Sequence, residues 1–331
     1  MKTLSFAQIL LTCLFLTGCA SLPDSQAPVL PPQSQYDAII TDDQGNVLSI
    51  NQLASRLHSF DVVVIGEYHS HHGAHLLQSL LQSALYQQRP QQVLTMEQFT
   101  LDDQNELDLY LAGKSGESEL IADAGAWPNY KASYRPLVEF SKARNIPVIA
   151  ANAPADTVRC VGRKGEKYLN TLAIAERNRL PEPPFTDTPA YREKFFDMLG
   201  TNHHGSGPSA RLENSYKAQL LRDNTMADQV IKALRDYPQH QVIHLTGTFH
   251  AENRLGMVAV LEKKRPNVSV AVISPAFWHS GDNLQSLVEA HQHKGNFLYF
   301  LQPLPQEYTD AERHRNAIRE QFRQAADITC E

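Results

Sequence analysis

The stretch Asp61-Val62-Val63-Val64-Ile65-Gly66-Glu67-Tyr68-His69 decides the reading of this chain. Four consecutive β-branched residues with no polar alternation predict a strand buried on both faces, the pattern of a parallel sheet covered by helices on each side. The run ends in Gly66, which permits a sharp exit or close ligand approach. Glu67 and His69 follow, two apart and therefore on one face of an extended segment. Outward from this stretch the pattern repeats. Apolar runs at 93–96, 147–151, 242–245, 268–273 and 297–300 predict five further strands, and helices are expected near 72–87, 101–111 and 134–143. The expected fold class is α/β, a mostly parallel sheet flanked by helices. Residues 163–235 hold helical patterns and a Pro-rich joint (Pro181, Pro183, Pro184) without a convincing strand, and are expected to form a helical insertion over one sheet edge.

In open α/β sheets, ligands bind outside the carboxyl ends of the strands. The first predicted strand delivers Glu67 and His69 there, the second Glu97 and Gln98, the third Asn152 and the fourth Gly247 and His250. Histidine with carboxylate suits a divalent metal or general acid–base work. Taken singly, each residue is as well explained by a helix cap or a loop hydrogen bond; the convergence of the set points to a functional pocket. His71 and His75 are four apart and could share a helix face, a weak metal signal by itself. His203-His204 lies in a Gly/Ser-rich stretch read as a loop.

The N-terminus is read as an address. Lys2 precedes an apolar run from Leu4 to Leu16, followed by Thr17-Gly18-Cys19. This predicts a secretory signal over 1–18, and Leu16-Thr17-Gly18-Cys19 resembles a bacterial lipobox with Cys19 as the lipidated residue. Ala20 in place of Asp favours the outer membrane by the sorting rule. Residues 19–35, rich in Pro, Ser and Gln, are read as a tether. A single α/β domain over 36–310 and a helical tail over 311–331 complete the expected organisation. Cys160 and Cys330 remain, and either pair in an oxidising compartment or stay as free thiols.

The 331 residues, 42% hydrophobic with a net charge of −6, suffice for a sizeable core. No Lys/Arg-rich run occurs, which argues against a nucleic-acid partner. No apolar stretch after residue 20 reaches membrane-spanning length. The absence of G-x-S-x-G, P-loop and G-x-G-x-x-G motifs argues against a serine hydrolase elbow, an ATPase and a dinucleotide site. Tyr168, Tyr191 and Tyr216 lie in the predicted insertion. A tyrosinate can ligate ferric haem, although most tyrosines simply pack a ring and bond the hydroxyl.

The chain resembles the ChaN family of iron-regulated, haem-binding bacterial lipoproteins, within the wider Tiki, TraB and erythromycin-esterase-like group. The residues that carry the resemblance are Gly66-Glu67-x-His69 with His75 and Gln78, Met96-Glu97-x-Phe99, Gln104 through Gly113, Trp127-x-x-Tyr130, 149–154, Gln219-x-x-Arg222-Asp223 with Met226-Ala227, and Gly247-x-x-His250. After His69 the chain carries Ser70-His71, where the family usually has an acidic or amide pair. The resemblance implies haem held at a homodimer interface with a tyrosine iron ligand, here taken as Tyr191, then Tyr216, then Tyr168. His203 or His204 would bond a ligand oxygen or propionate, and the lipoprotein would pass haem to transport proteins. The alternative is a metal-dependent hydrolase in which Glu67, His69, Glu97 and His250 hold a divalent metal or act as base. A third reading is a surface lipoprotein whose polar core serves structure alone.

Overall fold

The computed structural model describes residues 29–199, 209–324 and 329–330. Its eight strands are β1 (Ile39–Asp42), β2 (Val47–Leu48), β3 (Val62–Glu67), β4 (Gln92–Thr100), β5 (Val148–Asn152), β6 (Gln241–Gly247), β7 (Val270–Phe277) and β8 (Phe297–Leu301). They form one sheet in the order β2-β1-β8-β7-β3-β6-β4-β5. All pairings from β8 across to β5 are parallel, and β1 runs antiparallel to β8 and to β2. The fold is therefore the expected α/β class, with all six predicted strands in its parallel part.

The run Val62–Glu67 is wholly buried because it lies between β7 and β6 near the middle of the sheet. Alternate side chains enter opposite cores, as the strand period of two requires. Val63 and Ile65 join Leu94, Met96, Ile243 and Leu245 on one face, under the helices Ile50–Leu57, His72–Gln88 and Arg135–Ala143. Val62 and Val64 join Val93 and Val242 on the other, under the helices Ala210–Asp236 and Met257–Lys264. Each buried aliphatic side chain stabilises the fold by about 1.5–3 kcal/mol before entropy is charged against it.

Two features differ from the sequence reading. The β1–β2 hairpin was not anticipated. Its turn places Gly45 at φ +83°, where a side chain is strained, and the Asp42 carboxylate accepts from the backbone N–H groups of Gln44 and Asn46 at 3.1 and 2.9 Å. The insertion also does more than cover an edge. The long helix Ala210–Asp236 sends Met226, Ala227, Val230 and Ala233 into the second core, making it a full layer of the sandwich. Cys160 and Cys330 are paired, with Cα atoms 5.5 Å apart, tying the chain's end to the helix Ala155–Lys164. Among the described residues no helix is long and apolar enough to cross a membrane. The predicted signal, Cys19, and His203-His204 lie outside the described residues.

Candidate functional site

The carboxyl ends of β3, β4 and β6 meet at an open cleft of about 390 Å³. One wall is apolar and comes from Phe195 and Met198 of the helix Pro189–Met198, Phe249 after β6 and Tyr68 after β3. The opposite rim is polar, with Glu67, His69, Gln219, Gly247, Thr248 and His250. The structure thus brings together all four residues of the predicted rim, since Glu97 reaches the same point from β4.

Glu67 is buried and its carboxylate is saturated. Oε1 accepts from His69 Nδ1 at 2.8 Å and Tyr134 Oη at 2.6 Å; Oε2 accepts from Gln78 Nε2 at 2.6 Å. Burial alone would raise its pKa, but the His69 hydrogen bond and the facing charges of His75 and His69 bring it below the ordinary value. His69 in turn is raised by that hydrogen bond and charge, against the effect of its own burial. Because Nδ1 donates to Glu67, Nε2 is the nitrogen left open. It lies beside Gly247, where a Cβ would come within 2.7 Å of it. A glycine is needed there for close approach rather than for its φ.

A second chain of the same composition enters from the insertion. His250 Nδ1 donates to Asp223 Oδ1 at 2.8 Å, and Tyr191 Oη donates to Asp223 Oδ2 at 2.7 Å. Two His–carboxylate–Tyr chains therefore converge on Glu97. Its Oε2 accepts from Thr246 Oγ1 and the Gly247 N–H, both at 2.7 Å, and its Oε1 lies 3.5 Å from His250 Nε2. Burial opposes ionisation of Glu97, but the His250 and His69 charges and these two donors hold its pKa down to about 2. Glu97 and Asp223 raise His250 despite its burial. Arg222, one residue before Asp223, feels the charge of both carboxylates.

Other predicted residues serve structure. Asn152 donates to the Glu97 carbonyl at 3.0 Å, locking the end of β5 to β4. His71 caps the helix His72–Gln88 through Nδ1 and donates Nε2–H to the Gln302 carbonyl, so it does not share a helix face with His75. Tyr191 and Tyr216 are 1% and 2% exposed and pack with Phe195, Phe196 and Leu220 beneath the cleft wall. The expectation that Tyr191 meets iron does not fit this arrangement. Its hydroxyl is inside the core, donates to Asp223, and has its pKa pushed well up by burial and by the Asp223 charge, which disfavours the tyrosinate an iron needs. Tyr168 packs in a separate cluster with Leu169 and Leu180. Sequence reasoning missed Tyr134, placed Gln98 at the rim without a role, and named Gln78, Gln219 and Asp223 only among the residues that carry the family resemblance. Gln78 was signalled by its position one turn after His75, and Asp223 by its place one turn after Gln219.

A family profile described as haem-binding uptake, Tiki superfamily, ChaN, matches residues 53–261, well over half of the chain. The chain belongs to the ChaN family. Strands β3 to β6 and both His–carboxylate–Tyr chains fall within the matched residues, and β7 and β8 lie beyond them. Among solved structures, ChaN of Campylobacter jejuni, described for cofacial heme binding, is similar at a TM-score of 0.57 with 16% identity, covering 82% of this chain and 100% of that one. At such identity the likeness speaks for the ChaN-type fold. A Bacillus cereus protein is similar at a TM-score of 0.46 with 12% identity (81% of this chain, 95% of that one). An erythromycin esterase mutant in its open conformation is similar at 0.43 with 12% identity (84% and 86%). No curated protein matches the chain.

Proposed function

We propose that this protein is a haem carrier, holding haem as cargo in the cleft at the ends of β3 and β6. The carrying observation is the cleft's composition. An apolar wall of Phe195, Met198 and Phe249 faces an imidazole, His69, whose Nδ1 is committed to a buried carboxylate and whose Nε2 is open. A flat macrocycle needs such a wall, and an imidazole ligand of iron characteristically donates its other N–H to a carboxylate, which fixes its tautomer and basicity. The residues present therefore fit haem, with His69 rather than Tyr191 as the donor facing the cleft. Among the described residues, Met198 and Leu199, 60% and 42% exposed, are left uncovered on the outer side of the apolar wall. That supports closure by a second copy upon haem binding. Lipidation at Cys19 and an outer-membrane location, with haem passed on during iron acquisition, complete this reading.

The test is spectroscopic. Haemin added to the wild-type protein gives a saturable Soret band, retained in Tyr191→Phe and shifted or lost in His69→Ala. A band abolished by Tyr191→Phe and indifferent to His69→Ala would restore the tyrosine ligand and overturn this one.

The paired His–carboxylate–Tyr chains favour a second reading, hydrolysis with His69 Nε2 as the base for water. Among the described residues no group of three or more His, Cys, Asp or Glu side chains is arranged to hold a metal ion, so of the two roles the alternative allowed these residues, metal ligand or base, this reading takes the base. Turnover of an ester substrate that Glu67→Gln abolishes would support it; no turnover across an ester panel would remove it.

A further inference from the structure

Glu67 has a second histidine neighbour, and this one does not line the cleft. His75 lies in the first turn of the helix His72–Gln88 and is 4% exposed. Its Nδ1 faces Gln78 Oε1 at 3.1 Å and Glu67 Oε2 at 3.6 Å. The Gln78 amide is fixed in this orientation, because its Nε2 donates to Glu67 Oε2 at 2.6 Å. Both atoms that Nδ1 faces are acceptors, so Nδ1 carries the proton of the neutral ring and Nε2 keeps a lone pair. That Nε2 is buried and has no hydrogen-bond partner. An unpaired buried polar atom costs free energy that a donor would recover.

His75 also lines a cavity of about 160 Å³, between its own helix and the turn Tyr130–Ser133 that leads into Arg135–Ala143. With Nδ1 committed to Gln78 and Glu67, the Nε2 edge of the ring is the one left for this cavity. Leu76, Pro136 and the ring of Tyr36 make its sides apolar, and Ser79 and Ser133 add hydroxyls. Tyr36 is held in place by stacking on His72, with ring centroids 5.4 Å apart, and by Gln35, whose Nε2 donates to the Pro303 carbonyl at 3.1 Å. Among the described residues that line the cavity none is Asp, Glu, Lys or Arg, so it offers an ion no permanent counter-charge. A cavity of about 150 Å³ with apolar walls accepts one benzene-sized ring, whereas a single water would leave most of that volume without contacts. We propose that this cavity binds a small, neutral, flat molecule of the phenol class, whose hydroxyl donates to His75 Nε2 while its ring lies against Leu76, Pro136 and Tyr36. The site is separate from the cleft and does not depend on the haem reading.

The experiment titrates the full protein by calorimetry with phenol and with toluene, which has the same shape and no donor. Wild type is expected to bind phenol saturably and toluene at least about tenfold more weakly, because a site built around an acceptor rejects the analogue that cannot donate. Leu76 is 41% exposed on the cavity wall. Leu76→Trp is therefore expected to fill the cavity's mouth and weaken phenol by about tenfold or more, at an unchanged melting temperature. His75→Phe is expected to erase the preference by weakening phenol alone. Should thermal melting show that His75→Phe does not fold, the toluene comparison and Leu76→Trp decide the matter. No saturable phenol binding, equal affinity for phenol and toluene in wild type, or phenol binding indifferent to Leu76→Trp overturns the proposal.

Discussion

Replacing Glu97 with glutamine removes one charge while keeping the shape of the side chain. In the folded protein the carboxyl sits at about 2 against an ordinary 4.5. A difference of that size contributes about 3 kcal/mol to stability at pH 7. Because the folded value is the lower one, this contribution is complete above the unfolded value and is lost as pH falls through 2. At pH 3 about 1.5 kcal/mol of it remains by the same linkage. Urea unfolding of wild type and Glu97→Gln at the two pH values should therefore show a gap of about 3 kcal/mol that halves on acidification. His250, whose raised pKa depends first on the Glu97 charge among its favourable partners, should titrate lower in the variant, and its ring proton signals report this directly. A gap under about 1 kcal/mol that is independent of pH would refute the picture of Glu97 as an ionised hub.

Tyr191→Phe removes a hydrogen bond to a buried carboxylate and should cost about 2 kcal/mol in denaturant unfolding. Reduction of the Cys160–Cys330 bridge, which spans 170 residues of sequence, should lower stability by up to about 5 kcal/mol by the chain-entropy relation, read as a drop in melting temperature on adding reductant. Gly247→Ala should lower stability by about 1–3 kcal/mol, because the added Cβ falls within 2.7 Å of His69 Nε2 and forces His69 off its bond to the buried Glu67. It should also weaken haemin binding, because the same shift moves the imidazole that faces the cleft.

The parallel part of the sheet was legible because its strands are buried on both faces and read as unbroken apolar runs, Val62–Ile65 most clearly. The β1–β2 hairpin was not, because Val47–Leu48 is too short to show a period and β1 reads as a strand only once β8 lies beside it. The rim was legible from a rule of topology: strand ends converge, so Glu67, His69, Glu97 and His250 had to be neighbours if the order of strands was right. The buried partners that orient them were harder to see. Tyr134 comes from the joint between two helices and Asp223 from a helix, and which of their residues drops onto the rim depends on how each helix is set against the sheet. The same uncertainty of rotation explains Tyr191. Its helix was expected only within an insertion over one sheet edge; in the structure it walls the cleft, the face carrying Tyr191 turns inward and Met198 is the side chain presented to the opening. His71 looked like a helix-face partner of His75 until its position one residue before the helix made it the cap.

The central claim, that haem lies against this particular wall, is tested most directly by titrating haemin into wild type and Met198→Asp. Met198 is 60% exposed, so the substitution leaves the core untouched while placing a charge on the apolar side of the cleft. The account predicts saturable binding by wild type and at least about tenfold weaker binding by the variant. Equal affinity in the two proteins, or no stoichiometric binding by wild type, would contradict it.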